Sequence, residues 1–312
     1  MALTISRRPT VRVSFRLKMI LAFLSIYTIW GSTYLGIKLA IQTIPPFLMA
    51  GSRFVIAGLI LYLWTWTRGV RRPSVTNWKA ASNIGGSLLL GGNGGVVWAE
   101  YHQAPTSLVA ILITTVPLWM ALLEWFRNDH VRPSLHVALG LLIGFSGVIV
   151  LVGPQQLIGS SIDRFAAVVV VLASLSWAAG SLYSRRAPLS PLPLQSTGME
   201  MVTGGVFLSV AGLLTGELAS FDIYRISVNS ILAYLYLITF GSTVAFTAYI
   251  WLLTKTTSAK VSTYAYVNPV VAVLLGWAFA GEQLTWQILL AAGIIISAVV
   301  LINSTHLRQQ CT

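Results

Sequence analysis

The sequence predicts an all-α integral membrane protein, with ten transmembrane helices arranged as two inverted five-helix repeats and both termini cytoplasmic. Three observations carry that prediction. The 312 residues are 56% hydrophobic and 9% charged, whereas soluble domains carry about 25% charged residues. The apolar residues fall in runs close to the ~20 residues that a helix needs to cross a bilayer. The lysines and arginines alternate between successive connections in the way that sets membrane topology.

Ten spans can be placed, at 19–39, 46–66, 79–100, 104–126, 134–152, 164–185, 195–214, 230–253, 259–280 and 285–303. Their short connections contain the breakers Pro45-Pro46, Arg71-Arg72-Pro73, Arg132-Pro133, Gly153-Pro154 and Pro188 to Pro193. With the N-terminus inside, sixteen lysines and arginines lie in cytoplasmic segments: Arg7 to Lys18, Arg68 to Lys79, Arg127, Arg132, Arg185, Arg186, Lys255, Lys260 and Arg308. Two, Arg164 and Arg225, lie outside. Missing one helix would scramble this alternation, so it supports the helix count as well as the orientation. The net charge of +12 follows from topology. No nucleic-acid partner is expected, because the charges form short clusters between apolar runs.

Residues 1–18 form a basic cytoplasmic tail that runs straight into the first span. No small-residue cleavage site follows, so that span is expected to be an uncleaved helix. Cys311 is the single cysteine, which leaves no disulfide and no thiol metal site to build. His102, His130, His136 and His306 are not at metal spacing, and no serine or cysteine nucleophile stands near a convincing base. Neither a cofactor nor an enzymatic role is expected.

The repeat is visible in Trp30-Gly31-Ser32-Thr33-Tyr34, the proline break at Pro46, Arg53 and Gly58. Trp177, Pro193, Glu200 and Gly205 stand at the spacing of Trp30, Pro46, Arg53 and Gly58, while Ser181 and Tyr183 answer Ser32 and Tyr34 two positions out of register. Five spans per copy is an odd number, so the second copy enters the membrane from the opposite side, an architecture tied to alternating access. The halves are 19–153 and 164–303, with 304–312 as a cytoplasmic tail. Pro117 in span 4 corresponds to Pro269 in span 9, and Arg132-Pro133 to Gln283-Leu284-Thr285. Gly140, Gly144 and Gly147 in span 5, and Gly293 and Ser297 in span 10, lie at close-packing intervals. They suit contacts between the halves or a homodimer through spans 5 and 10.

Several marks stand in order along the chain: Trp30-Gly31-Ser32 with Lys38, Arg53 after the proline break, Ala104 to Pro117, Pro269, and Gly281-Glu282 before span 10. With them the chain resembles the drug/metabolite transporter superfamily, and within it the ten-helix EamA-type permeases that include YddG-like and YedA-like exporters. The resemblance covers about residues 19–303. It departs from the family before span 5, where Asn128-Asp129-His130 replaces a Gly-Glu-Arg turn, and that loop is assigned no role. The resemblance implies a secondary transporter of the bacterial inner (cytoplasmic) membrane. It would export small amphipathic metabolites, or facilitate their passage, with amino acids (aromatic ones included) foremost. A sugar, nucleotide-sugar or drug antiporter of the same superfamily is the alternative.

The residues offer their own site candidates. Charges within apolar spans are costly to bury and tend to be functional; here they are Lys38, Arg53, Glu100 and Glu200. Lys38 and Glu100 could pair and gate the outside or bind a zwitterion, with snorkelling as the simpler role for Lys38. Arg53 lies deeper. Glu200 holds the matching place with opposite sign, as a proton-linked group or as counter-charge for Arg185 or Arg186. Glu124 is most simply a partner of Arg127. Trp30 and Tyr34 share a helix face, as do Trp177 and Ser181; Trp98 and Tyr101 end span 3, and Tyr264 and Asn268 lie a turn apart on span 9. Such platforms suit an aromatic or flat amphipathic solute. Trp64, Trp66, Trp78, Trp125 and Trp286 sit at span ends, as an interfacial belt does. Gly91-Gly92-Asn93-Gly94-Gly95 reads as a close-packing stripe, but Asn93 needs partners at mid-membrane, and the glycines would let the helix loosen around a site. Pro117 and Pro269 free carbonyls and bend their helices, which makes them candidate hinges. The cavity is expected among spans 1, 3, 4, 6, 8 and 9. No nucleotide-binding motif is present, so energy would come from the solute gradient or from protons, with facilitated diffusion preferred.

Overall fold

A computed structural model describes residues 14–102, 104, 106–127, 134–152, 164–280 and 285–304. Among them the chain is helical, and the starts and breaks of the helices follow from local sequence. Helix α1 (Phe15–Ala40) opens on Ser14, whose hydroxyl accepts from the Leu17 N–H at 3.2 Å. Pro46 opens α2 (Pro46–Thr67) at a position where a missing N–H costs nothing. Gly69, at φ 73°, then turns the chain. A Ser74–Asn77 capping box starts α3, which covers 75–101 as Val75–Gly85, a π-helical segment Gly86–Gly94, and Gly95–Tyr101.

Helix α4 covers 106–127 in two pieces, Thr106–Ile113 and Val116–Arg127. Pro117 offers no N–H to the Ile113 carbonyl. Just before it, the Thr114 and Thr115 hydroxyls fold back onto the carbonyls of Ile111 and Leu112, each at 2.5 Å. Helix α5 is Leu135–Val152, α6 is Arg164–Ser184, and α7 is Pro193–Leu214, again with proline first. Helix α8 covers 228–255, with a π-helical segment Leu237–Phe246 between Val228–Tyr236 and Thr247–Lys255. Helix α9 covers 258–280 as Ser258–Ser262 and Tyr264–Ala280, with Pro269 inside the latter. Helix α10 is Trp286–Ser304.

Among the described residues, seven helices are long and apolar enough to cross a membrane: α1, α2, α5, α6, α7, α8 and α10. The other three predicted spans fall short for identifiable reasons. Breaks divide α4 and α9, and the glycines of α3, with Asn83 and Asn93, dilute its hydropathy. The outer surface is apolar: Leu21, Leu24, Ile60, Leu142, Leu172 and Ile296 are at least half exposed, as suits a lipid-facing wall.

Helix α2 packs on α7 and α5 on α10; α3 packs on α6 as α8 does on α1, and α4 on α6 as α9 does on α1. The pattern reproduces itself when each helix is exchanged for the one five places away. The α2–α7 seam is made of glycine. A Cβ on Gly51 would lie 2.8 Å from the Gly205 carbonyl oxygen and one on Gly205 2.8 Å from that of Gly51; Gly58 and Gly198 meet likewise at 2.7 and 3.0 Å. The order of these contacts runs the two helices antiparallel. In α5, Gly140 faces Ile302, Gly144 faces Tyr266 and Gly147 faces Ile294, so this small-residue stripe is spent inside the chain.

Three expected charge pairings are not formed. Glu124 accepts a hydrogen bond from Ser258 of α9 rather than pairing with Arg127. Glu200 is fully buried with both carboxylate oxygens unpartnered, so it answers neither Arg185 nor Arg186; Arg185 donates to the Thr256 carbonyl at 3.1 Å. Lys38 is exposed and Glu100 keeps a buried, unpartnered oxygen, so they do not close on one another. Asn128-Asp129-His130, Arg132-Pro133, Gly153-Pro154, Gly281-Glu282, most of the basic N-terminal tail, and the tail from 305 on (His306, Arg308 and Cys311) lie outside the described residues.

Candidate functional site

The centre of the molecule is an aromatic cluster contributed by both halves. The ring of Trp30 in α1 lies 5.7 Å from Trp177 in α6, 5.0 Å from Tyr249 in α8 and 4.9 Å from Tyr264 in α9. Polar handles fix these rings. The Trp30 indole N–H donates to the Gly241 carbonyl at 3.2 Å, and the Trp177 N–H donates to the Tyr249 hydroxyl at 3.0 Å. Ser181 shares a 2.5 Å hydrogen bond with Tyr249. With its amide nitrogen turned toward α1, Asn268 donates to the carbonyls of Tyr264 and Tyr27 at 3.0 and 3.2 Å, tying α9 to α1.

Above this floor is a cavity with about 100 Å³ of room for water-sized molecules, enough for several waters by that measure. Seven helices line it: α1 (Trp30, Thr33, Tyr34, Ile37), α2 (Arg53, Phe54), α3, α4, α6, α8 and α9. The glycine run of α3 lets α6 approach, since a Cβ on Gly92 would lie 2.8 Å from the Trp177 ring and one on Gly95 2.7 Å from Ala173. Asn93 accepts from Arg53 Nη2 at 3.0 Å, and this is the mid-membrane partner that Asn93 needs. Both π-helical segments reach the cavity, through Gly92 and Asn93 in α3 and through Gly241, Ser242 and Phe246 in α8. Such segments are frequent at functional sites.

Of the residues singled out from sequence, Trp30, Tyr34, Arg53, Asn93, Trp177, Tyr264 and Asn268 come together on this wall. Ser181 stands behind it. Trp98 lies apart, stacked on His102 at 4.0 Å and edge-on to Phe165 at 5.5 Å. Lys38, Glu100 and Glu200 do not line the cavity; Glu100 stays within electrostatic range of Arg53 and Lys38. Pro117 and Pro269 mark the break in α4 and the interior of α9, each next to a lining residue, Val116 and Asn268. The sequence reading expected α8 in the cavity but named no residue of it, and it missed Ser242, Phe246 and Tyr249. In sequence these read as ordinary apolar-helix residues; Thr243, whose hydroxyl reaches the carbonyl of Ile238 five residues back, marks the π-helical segment only once folded.

Away from the aromatic floor the cavity wall includes Ile37, Val96 and Ile113. The opposite, sealed end is tied by hydrogen bonds. The Tyr27 and Thr263 hydroxyls share a hydrogen bond at 2.6 Å, Ser258 bonds Glu124, and Arg185 bonds the Thr256 carbonyl just past α8.

A many-helix apolar bundle around an aromatic cavity has the architecture of an integral membrane protein with an internal solute-sized site. The chain belongs to the EamA-like transporter family, whose model matches twice, at residues 17–153 and 164–304. It is 38% identical to the uncharacterized inner membrane transporter YedA of Escherichia coli over 283 residues, 90% of this chain and 89% of that one. It is 25% identical to the uncharacterized transporter YoaV of Bacillus subtilis, covering 94% of this chain and 99% of that one. A solved crystal structure superposes with a TM-score of 0.74 at 19% identity, over 94% of this chain and 98% of that one, and so shares the fold. The protein is a multi-pass protein of the inner membrane.

Proposed function

We propose that the chain is a ten-span secondary transporter that passes small amphipathic metabolites, amino acids foremost and aromatic ones among them, across the cytoplasmic membrane. It works by alternating access between two inverted five-helix repeats, 19–153 and 164–303. The helix-exchange pattern of packing and the antiparallel glycine seam of α2 and α7 support the inverted repeat. The observation that carries the substrate class is the cavity itself, an aromatic floor of Trp30, Trp177 and Tyr264 beneath a single guanidinium. With the lysine and arginine pattern setting the hydrogen-bonded end in the cytoplasm, we read the cavity as facing outward. Apart from tyrosines, Arg53 is the one ionisable side chain among the described lining residues, which favours facilitated diffusion over proton coupling.

The test uses purified protein in liposomes loaded in turn with labelled tryptophan, threonine, glutamate and a nucleotide sugar, with and without a pH gradient. Saturable amino-acid flux that is lost in Trp30→Ala and indifferent to the gradient is expected. Nucleotide-sugar exchange without amino-acid flux would replace this substrate class with the antiporter alternative.

A further inference from the structure

Arg53 is the one charged side chain among the described lining residues, yet it is only 3% exposed. It carries five donors. Its hydrogen bond to the protein runs from Nη2 to Asn93, its guanidinium lies 4.5 Å from the centre of the Phe54 ring, and Nε is buried without an acceptor. No ion pair joins it to Glu100, which carries a buried unpartnered oxygen of its own. Ser242, on the π-helical segment of α8, is fully buried at the same cavity, and its hydroxyl also has no partner. The two line one cavity, Arg53 from α2 and Ser242 from α8, and these helices meet where the Phe54 ring lies 6.2 Å from the Phe246 ring. A buried cation whose Glu100 counter-charge is in electrostatic range but not in contact, and a buried hydroxyl without a partner, are both costly. Two such groups on one cavity wall call for an anionic acceptor.

We infer that the cavity selects its solute by a carboxylate, held by the Arg53 guanidinium and the Ser242 hydroxyl, and that no lining side chain among those described reads an amine by charge. The inference rests on the transport reading of this cavity and narrows it. A planar carboxylate matches the guanidinium fork, whereas a phosphate-bearing solute would ask for further cations, and none of the described lining residues supplies one. For an ammonium the described lining residues offer only neutral acceptors, and no carboxylate is among them. Asn93 takes Arg53, the Gly241 carbonyl takes Trp30, and the Ser174 hydroxyl is turned onto the carbonyls of Leu112 and Val170. The apolar part of the solute then lies against Trp30 and Trp177.

Competition binding on the purified full-length protein tests this, with labelled phenylalanine as probe. The competitors are 3-phenylpropionate (carboxylate, no amine), 2-phenylethylamine (amine, no carboxylate) and phenylalanine amide. The carboxylate reading expects 3-phenylpropionate to compete within about threefold of phenylalanine, and the two compounds lacking a carboxylate to be weaker by about 10- to 100-fold. Arg53→Gln weakens 3-phenylpropionate by a similar factor and leaves 2-phenylethylamine unchanged; Ser242→Ala weakens it about three- to tenfold. Should Arg53→Gln not fold, the wild-type series and Ser242→Ala still decide. If 2-phenylethylamine competes as well as phenylalanine, or 3-phenylpropionate does not compete, the carboxylate reading is overturned and the transport reading stands. If phenylalanine itself shows no saturable binding, the amino-acid reading of the cavity fails, and this inference with it.

Discussion

The α2–α7 seam makes a sharp prediction about a single methyl group. In Gly58→Ala the new Cβ would lie 2.7 Å from the Gly198 carbonyl oxygen, 2.7 Å from the Val202 nitrogen and 2.8 Å from the Met201 Cβ. Two of these atoms are backbone of α7 and cannot rotate away. Relief requires the helices to part until 2.7 Å becomes the 3.4 Å of an ordinary contact, and the same seam is equally close at Gly51, Gly198 and Gly205. Overpacking of this kind costs about 1–3 kcal/mol. Gly86→Ala is the matched control, because its Cβ would meet only the Phe207 ring, at 3.5 Å. There the roughly 1 kcal/mol by which alanine exceeds glycine in helices favours the variant. Thermal unfolding in detergent, followed by loss of the monodisperse chromatographic peak, should place Gly58→Ala several degrees below wild type and Gly86→Ala at or above it. A Gly58→Ala protein that melts with the wild type would refute the backbone-close seam.

Three further outcomes follow from hydrogen bonds that cross between elements. The Glu217 carboxylate accepts from the Phe47 and Leu48 N–H groups at 3.0 and 2.8 Å, satisfying two free donors at the start of α2; Glu217→Gln should cost about 1 kcal/mol in the same melt, and an unchanged melt would count against the cap. In Tyr249→Phe the Trp177 indole N–H loses its acceptor inside the aromatic floor, so stability should fall by about 1–3 kcal/mol although the ring remains; no fall would mean that the indole finds another acceptor. Ser258→Ala removes the donor to Glu124, so backbone hydrogen exchange over 258–263 should accelerate, and unchanged exchange would argue that this contact does not hold the sealed end.

The sequence made the helices legible because their boundaries are local. Pro46 and Pro193 start α2 and α7, and Ser14 and Ser74 cap α1 and α3. Trp30 and Trp177 were legible as site residues because they share one slot in the repeat and sit far from span ends. What stayed hidden depends on how helices rotate against each other. Tyr249 is one aromatic among several on an apolar span, and only the approach of α6 and α9 turns it into the hub that contacts Trp30, Trp177, Ser181 and Tyr264. The charge pairings failed for the same reason. Proximity along the sequence suggested Arg127 for Glu124, but the tertiary fold brings Ser258 from more than a hundred residues away. Lys38 stands four residues beyond Tyr34 on α1, and Trp98 ends the span that carries Asn93, yet sequence position alone does not say which side the cavity occupies.

The two kinds of contact between the halves differ in what it takes to break them. The α2–α7 seam and the α5–α10 seam bring glycines against backbone or closely fitted side chains, where small shifts clash at once. The sealed end is held instead by single hydroxyl hydrogen bonds, Tyr27 to Thr263 and Ser258 to Glu124. Each joins the first half to the second, and each is exchangeable for water at a net cost of about 1 kcal/mol, or somewhat more for the carboxylate. Next to those hydrogen bonds lie the elements with spare backbone bonding capacity, the broken α4 and α9 with Pro117 and Pro269. Under the alternating-access reading, closure of the open end and opening of the sealed one would turn about the glycine seams and be absorbed at these breaks. That is why a faster exchange in Ser258→Ala should stay confined to the sealed end and leave the α2–α7 seam protected. Exchange spreading into Gly51 to Gly58 would show that the halves do not move as units about that seam.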